Sequence, residues 1–127
     1  MFKDFTVKTG NGLYDTEARA TYIGQDLLVA IWGGEKPHIG AVSVAAPRPS
    51  LKNPDITSAT ASVICLIGHK EDELAKAASE ALASALNTHV VVTAGMHWDN
   101  IDEQGIRTVI QNSKVIVELI LEKINRP

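Results

Sequence analysis

Three histidines, each preceded by glycine within a few residues, stand where apolar runs end: His38, His69 and His97. Neutral imidazoles are good zinc ligands, and three of them around an open position form a catalytic metal site. The spacings of 31 and 28 residues match no local metal motif, and the chain has no His-x-x-x-His or Cys-x-x-Cys pair. Two interpretations stay open, a three-histidine metal site and three amphipathic rings that pack at strand ends.

Glycines and cations near the same turns predict a second kind of site, a pocket for an anion or a cofactor phosphate. Gly33 and Gly34 offer backbone amides at a bend, and acidic residues at 71–73 would repel a phosphate from the later helix start. The nearby cations are Lys36, Arg48 and Lys70. Because the glycines match neither a dinucleotide fingerprint nor a P-loop, simple turn formation is the competing interpretation.

Two tryptophans flank the histidine turns. Trp32 precedes the first turn and Trp98 follows the third. An indole can stack on a planar ring such as a flavin, or it can close the core at the end of a strand. Both roles are open for each residue.

Composition narrows the classes of partner. The 127 residues predict one domain, 1–127. A net charge of −3 without a basic run argues against nucleic acid. A single cysteine excludes an internal disulfide, and no apolar stretch is long enough to span a bilayer, nor does the start resemble a signal peptide. We therefore expect a cytoplasmic protein that does not enter a membrane.

The first half of the chain predicts four strands, at 3–8, 13–23, 26–32 and 39–46. Their short connections favour an antiparallel meander, because parallel pairing needs a long crossover. Residues 47–58 contain three prolines and no periodicity. They predict a long loop of the kind that often covers a binding site.

The second half predicts a strand at 59–67, a helix at 70–86, a strand at 89–94 and a helix at 101–124. Strand, helix and strand at this spacing indicate a βαβ unit with the two strands parallel. The apolar stripe of the last helix is wider than half-burial requires, so this helix should meet another subunit or be unusually buried. The predicted fold is α+β, a mostly antiparallel six-stranded sheet with two helices.

Three segments together resemble a known small family: GGEKPHIGAV at 33–42, GHKED at 68–72 and TAGMHWDN at 93–100. The family comprises the small D-type subunits, LpdD-like prenylated flavin chaperones, that accompany UbiD-like hydroxyarylic acid decarboxylases. The likeness covers the chain from about Gly24 onward.

The resemblance implies a non-catalytic helper that holds prenylated FMN and passes it to a large UbiD-like decarboxylase subunit. It also implies a fold similar to proteasome-assembly chaperones, and a homodimer formed through the sheet or the last helix. On this interpretation the histidine turns surround the ligand, a tryptophan contacts its ring and the cations hold its phosphate. The candidate cofactor-binding set is Trp32, Gly33, Gly34, Lys36, His38, Arg48, His69, Lys70, His97 and Trp98.

Two other functions remain open from the sequence. One is a metal-dependent enzyme with His38, His69 and His97 as ligands, although a metal is not the favoured cofactor. The other is an assembly factor that binds protein and no small molecule.

Overall fold

The strands and helices follow the predicted order along the chain. The computed structural model describes residues 4–10, 12–66 and 71–125. In these residues the elements are β1 (Asp4–Lys8), β2 (Thr16–Ile23), β3 (Asp26–Gly34), β4 (Ala41–Pro49), β5 (Thr57–Cys65), α1 (Asp72–Leu86), β6 (Val90–His97) and α2 (Glu103–Asn125).

The six strands form one sheet in the order β1-β2-β3-β6-β4-β5. Strands β1 to β3 form an antiparallel meander, β6 is parallel to β3, and the remaining pairs are antiparallel. The predicted α+β class and mostly antiparallel six-stranded sheet are confirmed.

The strand order differs from the prediction at one point, because β6 lies between β3 and β4. The meander therefore has three strands instead of four, and β5 runs in the same direction as β6 without pairing with it. The physical reason lies in β6 itself, where Val90, Val91 and Val92 place apolar side chains on both faces. Such a strand is best accommodated in the middle of a sheet, with a neighbour on each side.

The predicted loop at 47–58 is shorter in the structure. Strand β4 continues to Pro49 and β5 begins at Thr57, so the connection covers 50–56. Strand β6 pairs with β4 only as far as Ala45. Beyond that point β4 has β5 as its one neighbour, and a strand with an unpaired edge tolerates proline.

Both helices pack on one face of the sheet, where they enclose the core. Helix α1 covers β4, β5 and β6, α2 covers β1 and β2, and the two helices also touch each other. Leu82 of α1 and Ile116 and Ile120 of α2 are fully buried there. Among the described residues, the other face carries no helix. In the described part of the chain, no helix is long and apolar enough to cross a membrane.

Glycines let three segments approach closely where β6 ends. Gly34 has φ +86°, and a Cβ atom on it would overlap the carbonyl oxygen of His97. A Cβ atom on Gly95 would overlap the carbonyl oxygen of His38. The β3 end, the connection at 35–40 and the β6 end can therefore meet only because these side chains are absent.

We expect Gly34→Ala to destabilise the protein more than Gly24→Ala. Both glycines have positive φ, but nothing lies within 4 Å of a Cβ atom at Gly24. Gly24→Ala should cost about 1–2 kcal/mol for the left-handed backbone alone. Gly34→Ala should cost about 2–5 kcal/mol, because overpacking adds about 1–3 kcal/mol. Urea unfolding measures both, and equal losses would contradict the proposed close approach.

Candidate functional site

A cavity of about 960 Å³ lies between α1 and α2 and reaches the end of β6. We call it the interhelical groove. Its size is at the upper end of the range for small-molecule sites. Most of its lining is apolar, and the lining apolar residues are Leu74, Ala77, Ala78, Ala81, Met96, Trp98, Ile101, Ile106, Val109, Ile110 and Val117.

The side chains of the two helices explain why the groove exists. On α1 the lining is mostly alanine, which fills little of the space between the helices. On α2 one set of side chains, including Ile116 and Ile120, packs on the core, while Ile106 and Ile110 face the groove and are 47% and 53% exposed. The wide apolar stripe predicted for this helix thus serves two surfaces. The width of this stripe was the signal in the sequence for an additional surface, but the sequence alone did not locate the groove.

A polar cluster closes the groove at the end of β6. Glu71, just before α1, and His97, the last residue of β6, both line the groove there. His38 Nε2 lies 3.1 Å from Glu71 Oε1, and the same carboxylate oxygen accepts a hydrogen bond from the Met96 amide at 3.4 Å. The carboxylate therefore connects the 35–40 segment and β6 to the start of α1.

A second carboxylate completes the cluster. His97 Nε2 lies 2.8 Å from Asp99 Oδ1, and Lys36 Nζ lies 3.6 Å from the same oxygen. Hydrogen bonds with His97 and then with Glu35, and then the charge of Lys36, lower the pKa of Asp99 below its ordinary value. The structure thus brings His38, His97 and Lys36 to one end of the sheet.

Trp98 has one of the two roles that the sequence left open, closure of the core, and its contact with a flavin stays a prediction. It is only 6% exposed, and its Nε1 donates a hydrogen bond to the Leu13 carbonyl at 2.8 Å. Its ring makes an edge contact with Tyr14, with centroids 5.6 Å apart, and packs against Gly33. Trp98 therefore closes the core, and it also lines the groove.

Two predicted site residues lie elsewhere. Trp32 alternates with buried Ile31, so its side chain is on the helix-free face of the sheet, opposite Trp98. Arg48 is seven residues along β4 from Ala41, about 23 Å from the polar cluster. Its Nε donates to Thr60 Oγ1 at 2.6 Å. The two indoles of one chain therefore do not face the same ligand, and Arg48 is remote from the groove.

The predicted bend at Gly33 and Gly34 is part of β3, which pairs with β6 as far as Gly34 opposite His97. Their role in the structure is close packing. The predicted residues His69 and Lys70 lie outside the described residues. Among the residues described, no group of three or more His, Cys, Asp and Glu side chains could hold a metal ion. Because His69 lies outside that set, the three-histidine site stays a prediction.

We expect the pKa of Asp99 to rise in His97→Ala, because this removes the main hydrogen bond that favours the ionised carboxylate. A lowered pKa contributes stability above the unfolded pKa, and that contribution is lost as the pH falls through the folded pKa. The stability of His97→Ala should therefore fall less than that of the wild type as the pH is lowered. Carboxyl NMR titration measures the pKa. Lys52→Gln, at an exposed lysine in the 50–56 connection, is the control. An unchanged Asp99 pKa in His97→Ala would contradict this assignment.

Comparison with known proteins agrees with this description. A crystal structure of a novel chaperone complex for yeast 20S proteasome assembly contains a similar fold, with a TM-score of 0.55 and 14% sequence identity over 97% of this chain and 96% of that chain. The predicted similarity to proteasome-assembly chaperones is thus confirmed at the level of fold. No curated protein matches the sequence. Residues 10–125 match the prenylated flavin chaperone LpdD-like domain, and the chain belongs to that family.

Proposed function

We propose that this protein is a chaperone that holds prenylated FMN in the interhelical groove and delivers it to a UbiD-like decarboxylase. The observation that carries the proposal is the groove, a large apolar cavity in a member of a prenylated flavin chaperone family. On this proposal the protein is an accessory subunit of the decarboxylase and works in the cytoplasm.

The walls of the groove suit the apolar part of such a ligand. A prenyl group is a branched hydrocarbon and the isoalloxazine is a flat ring system, and both gain about 25 cal/mol for each Å² of apolar surface removed from water. Leu74, Ile106 and Ile110 offer side chains to either side of the ligand, and Trp98 offers the edge of an indole at the groove end. These residues and His97 would hold the ring system.

The polar cluster limits where the ring system can go. Glu71 and His97 line the end of the groove, and their contacts with His38 and Asp99 fix their positions. On the proposal, these side chains contact the polar edge of the isoalloxazine. His38, through Glu71, and Lys36, through Asp99, hold them in position from outside the groove. The residues at the turns then shape the pocket wall, and the groove supplies most of the contact area.

We also propose a homodimer formed through the helix-free face of the sheet. Leu28, Val44 and Ile64 share this face and are 38%, 49% and 69% exposed. Trp32 adds an indole to the same surface. Exposed apolar side chains that share one face are typical of an interface between subunits. The groove lies on the opposite face, so dimerisation would leave it open.

We expect Ala77→Trp to abolish binding of prenylated FMN. Ala77 lines the groove and is exposed, so a large side chain fills the cavity without entering the core. Ala85→Trp is the matched control, because Ala85 is an exposed alanine of the same helix outside the groove. The measurements are retained flavin absorbance after gel filtration and the ligand-induced shift in Tm.

Two outcomes would contradict the proposal. Wild-type protein that neither retains prenylated FMN nor gains thermal stability from it would rule out the chaperone function. Equal binding by Ala77→Trp and Ala85→Trp would place the ligand outside the groove. Delivery is tested separately, by whether loaded wild-type protein activates an apo-decarboxylase of the UbiD type more than the same amount of free prenylated FMN does.

We expect Val44→Lys to convert the dimer to a monomer, because a charge on the helix-free face would be buried without a partner at the proposed interface. Light scattering coupled to gel filtration measures the mass. Leu51→Lys replaces another exposed apolar residue, 91% exposed in the 50–56 connection, and should remain dimeric. A monomeric wild type, or a Val44→Lys dimer, would overturn the proposed interface.

A further inference from the structure

The charged residues of the interhelical groove are distributed unevenly along its length. At the end next to β6 the lining carboxylates are Glu71 and Glu73. Further along α2 the lining charges are Lys114 and Glu118. Lys114 is the one lysine or arginine that lines the groove among the residues described.

We infer that Lys114 binds the phosphate of the flavin and so sets the direction in which the ligand lies in the groove. This inference rests on the proposed function. It assigns a specificity-determining residue to the site, since an ammonium group at that position distinguishes a phosphorylated flavin from one without phosphate.

The end of the groove next to β6 disfavours a phosphate. Glu71 is mostly buried, with a side chain 12% exposed, and its negative charge faces the groove next to that of Glu73. His38 contacts Glu71 from outside the groove, so any positive charge on this imidazole is directed at the carboxylate first. A dianionic phosphate placed here would meet the like charges of Glu71 and Glu73.

The ammonium group of Lys114 is available to pair with a ligand phosphate. Within the described ranges no carboxylate lies within ion-pair distance of its ammonium group, including Glu118 one turn further along α2. The neighbouring Ser113 hydroxyl donates its hydrogen to the Val109 carbonyl at 2.7 Å and does not compete for the ammonium group. A ligand phosphate can therefore take Lys114 as its counterion.

The distance along α2 between the end next to β6 and Lys114 also fits the ligand. Both helices begin at the edge where β6 ends, so position along α2 measures distance from the polar cluster. Ile106 and Lys114 are eight residues apart, which corresponds to about 12 Å along a helix. That separation suits the ribityl chain between the ring system and the phosphate. The isoalloxazine and prenyl group then lie among Trp98, Ile101 and Ile106, at the end of the groove next to β6.

The experiment compares FMN with riboflavin, which differ only in the phosphate, and uses prenylated FMN as a third ligand. Lys114→Gln should weaken binding of FMN and prenylated FMN by about tenfold or more, as expected for the loss of one charge-assisted contact. Riboflavin binding should change by less than about twofold. Lys76→Gln is the matched control, because it removes a lysine of α1 that does not line the groove.

Direction is tested by Trp98 fluorescence in a Trp32→Phe background at saturating FMN, where the bound ring should quench Trp98 strongly when Lys114 is present and less in Lys114→Gln. Equal quenching in the two proteins would overturn the assigned direction. Equal weakening of FMN and riboflavin by Lys114→Gln, or no weakening of either, would overturn the inference. These results leave the proposed function intact if wild-type protein binds prenylated FMN. Failure of the wild type to bind any of the three flavins would instead overturn the proposed function, and the inference with it.

Discussion

The close approach of three backbone segments at the end of β6 is the constraint on which the site depends. Gly34 and Gly95 permit it, because a side chain at either position would overlap a neighbouring carbonyl oxygen. The approach holds β6 in the centre of the sheet and places His97 and Trp98 beside the start of both helices. The positions of the residues in the polar cluster are therefore set by backbone packing, and the contacts among their side chains follow from it.

The sequence predicted local structure well and long-range order poorly, for a physical reason. Periodicity in segments such as β2 and α1 reflects which side of a single element is buried, and together with apolar runs it identified every element of the described residues. Strand order depends on which partners are best for a whole strand. The insertion of β6 between β3 and β4 depends on competition for pairing among strands that are distant in the sequence. Only the apolar residues on both faces of β6 indicated it.

The site was predicted in part for the same reason. His38, His97 and Lys36 lie at strand ends, and strand ends on one edge of a sheet meet in space. The interhelical groove needs Ala77 of α1 and Ile110 of α2 to face each other across more than thirty residues of chain. No local pattern contains that relation. The extra width of the α2 stripe indicated an additional surface but did not say what it faces.

The two proposed roles, dimerisation and ligand binding, use opposite faces of the sheet. The helix-free face exposes apolar side chains such as Leu28, Val44 and Ile64, a surface of the kind that a second subunit covers. The interhelical groove is concave, and mostly apolar contacts line it. Apolar contacts are short-ranged and non-directional, so a partner that opens the groove can release the ligand without breaking a network of hydrogen bonds. A carrier needs such weak specificity over most of its contact area, and on our proposal a single charged contact, at Lys114, would fix the orientation of the ligand.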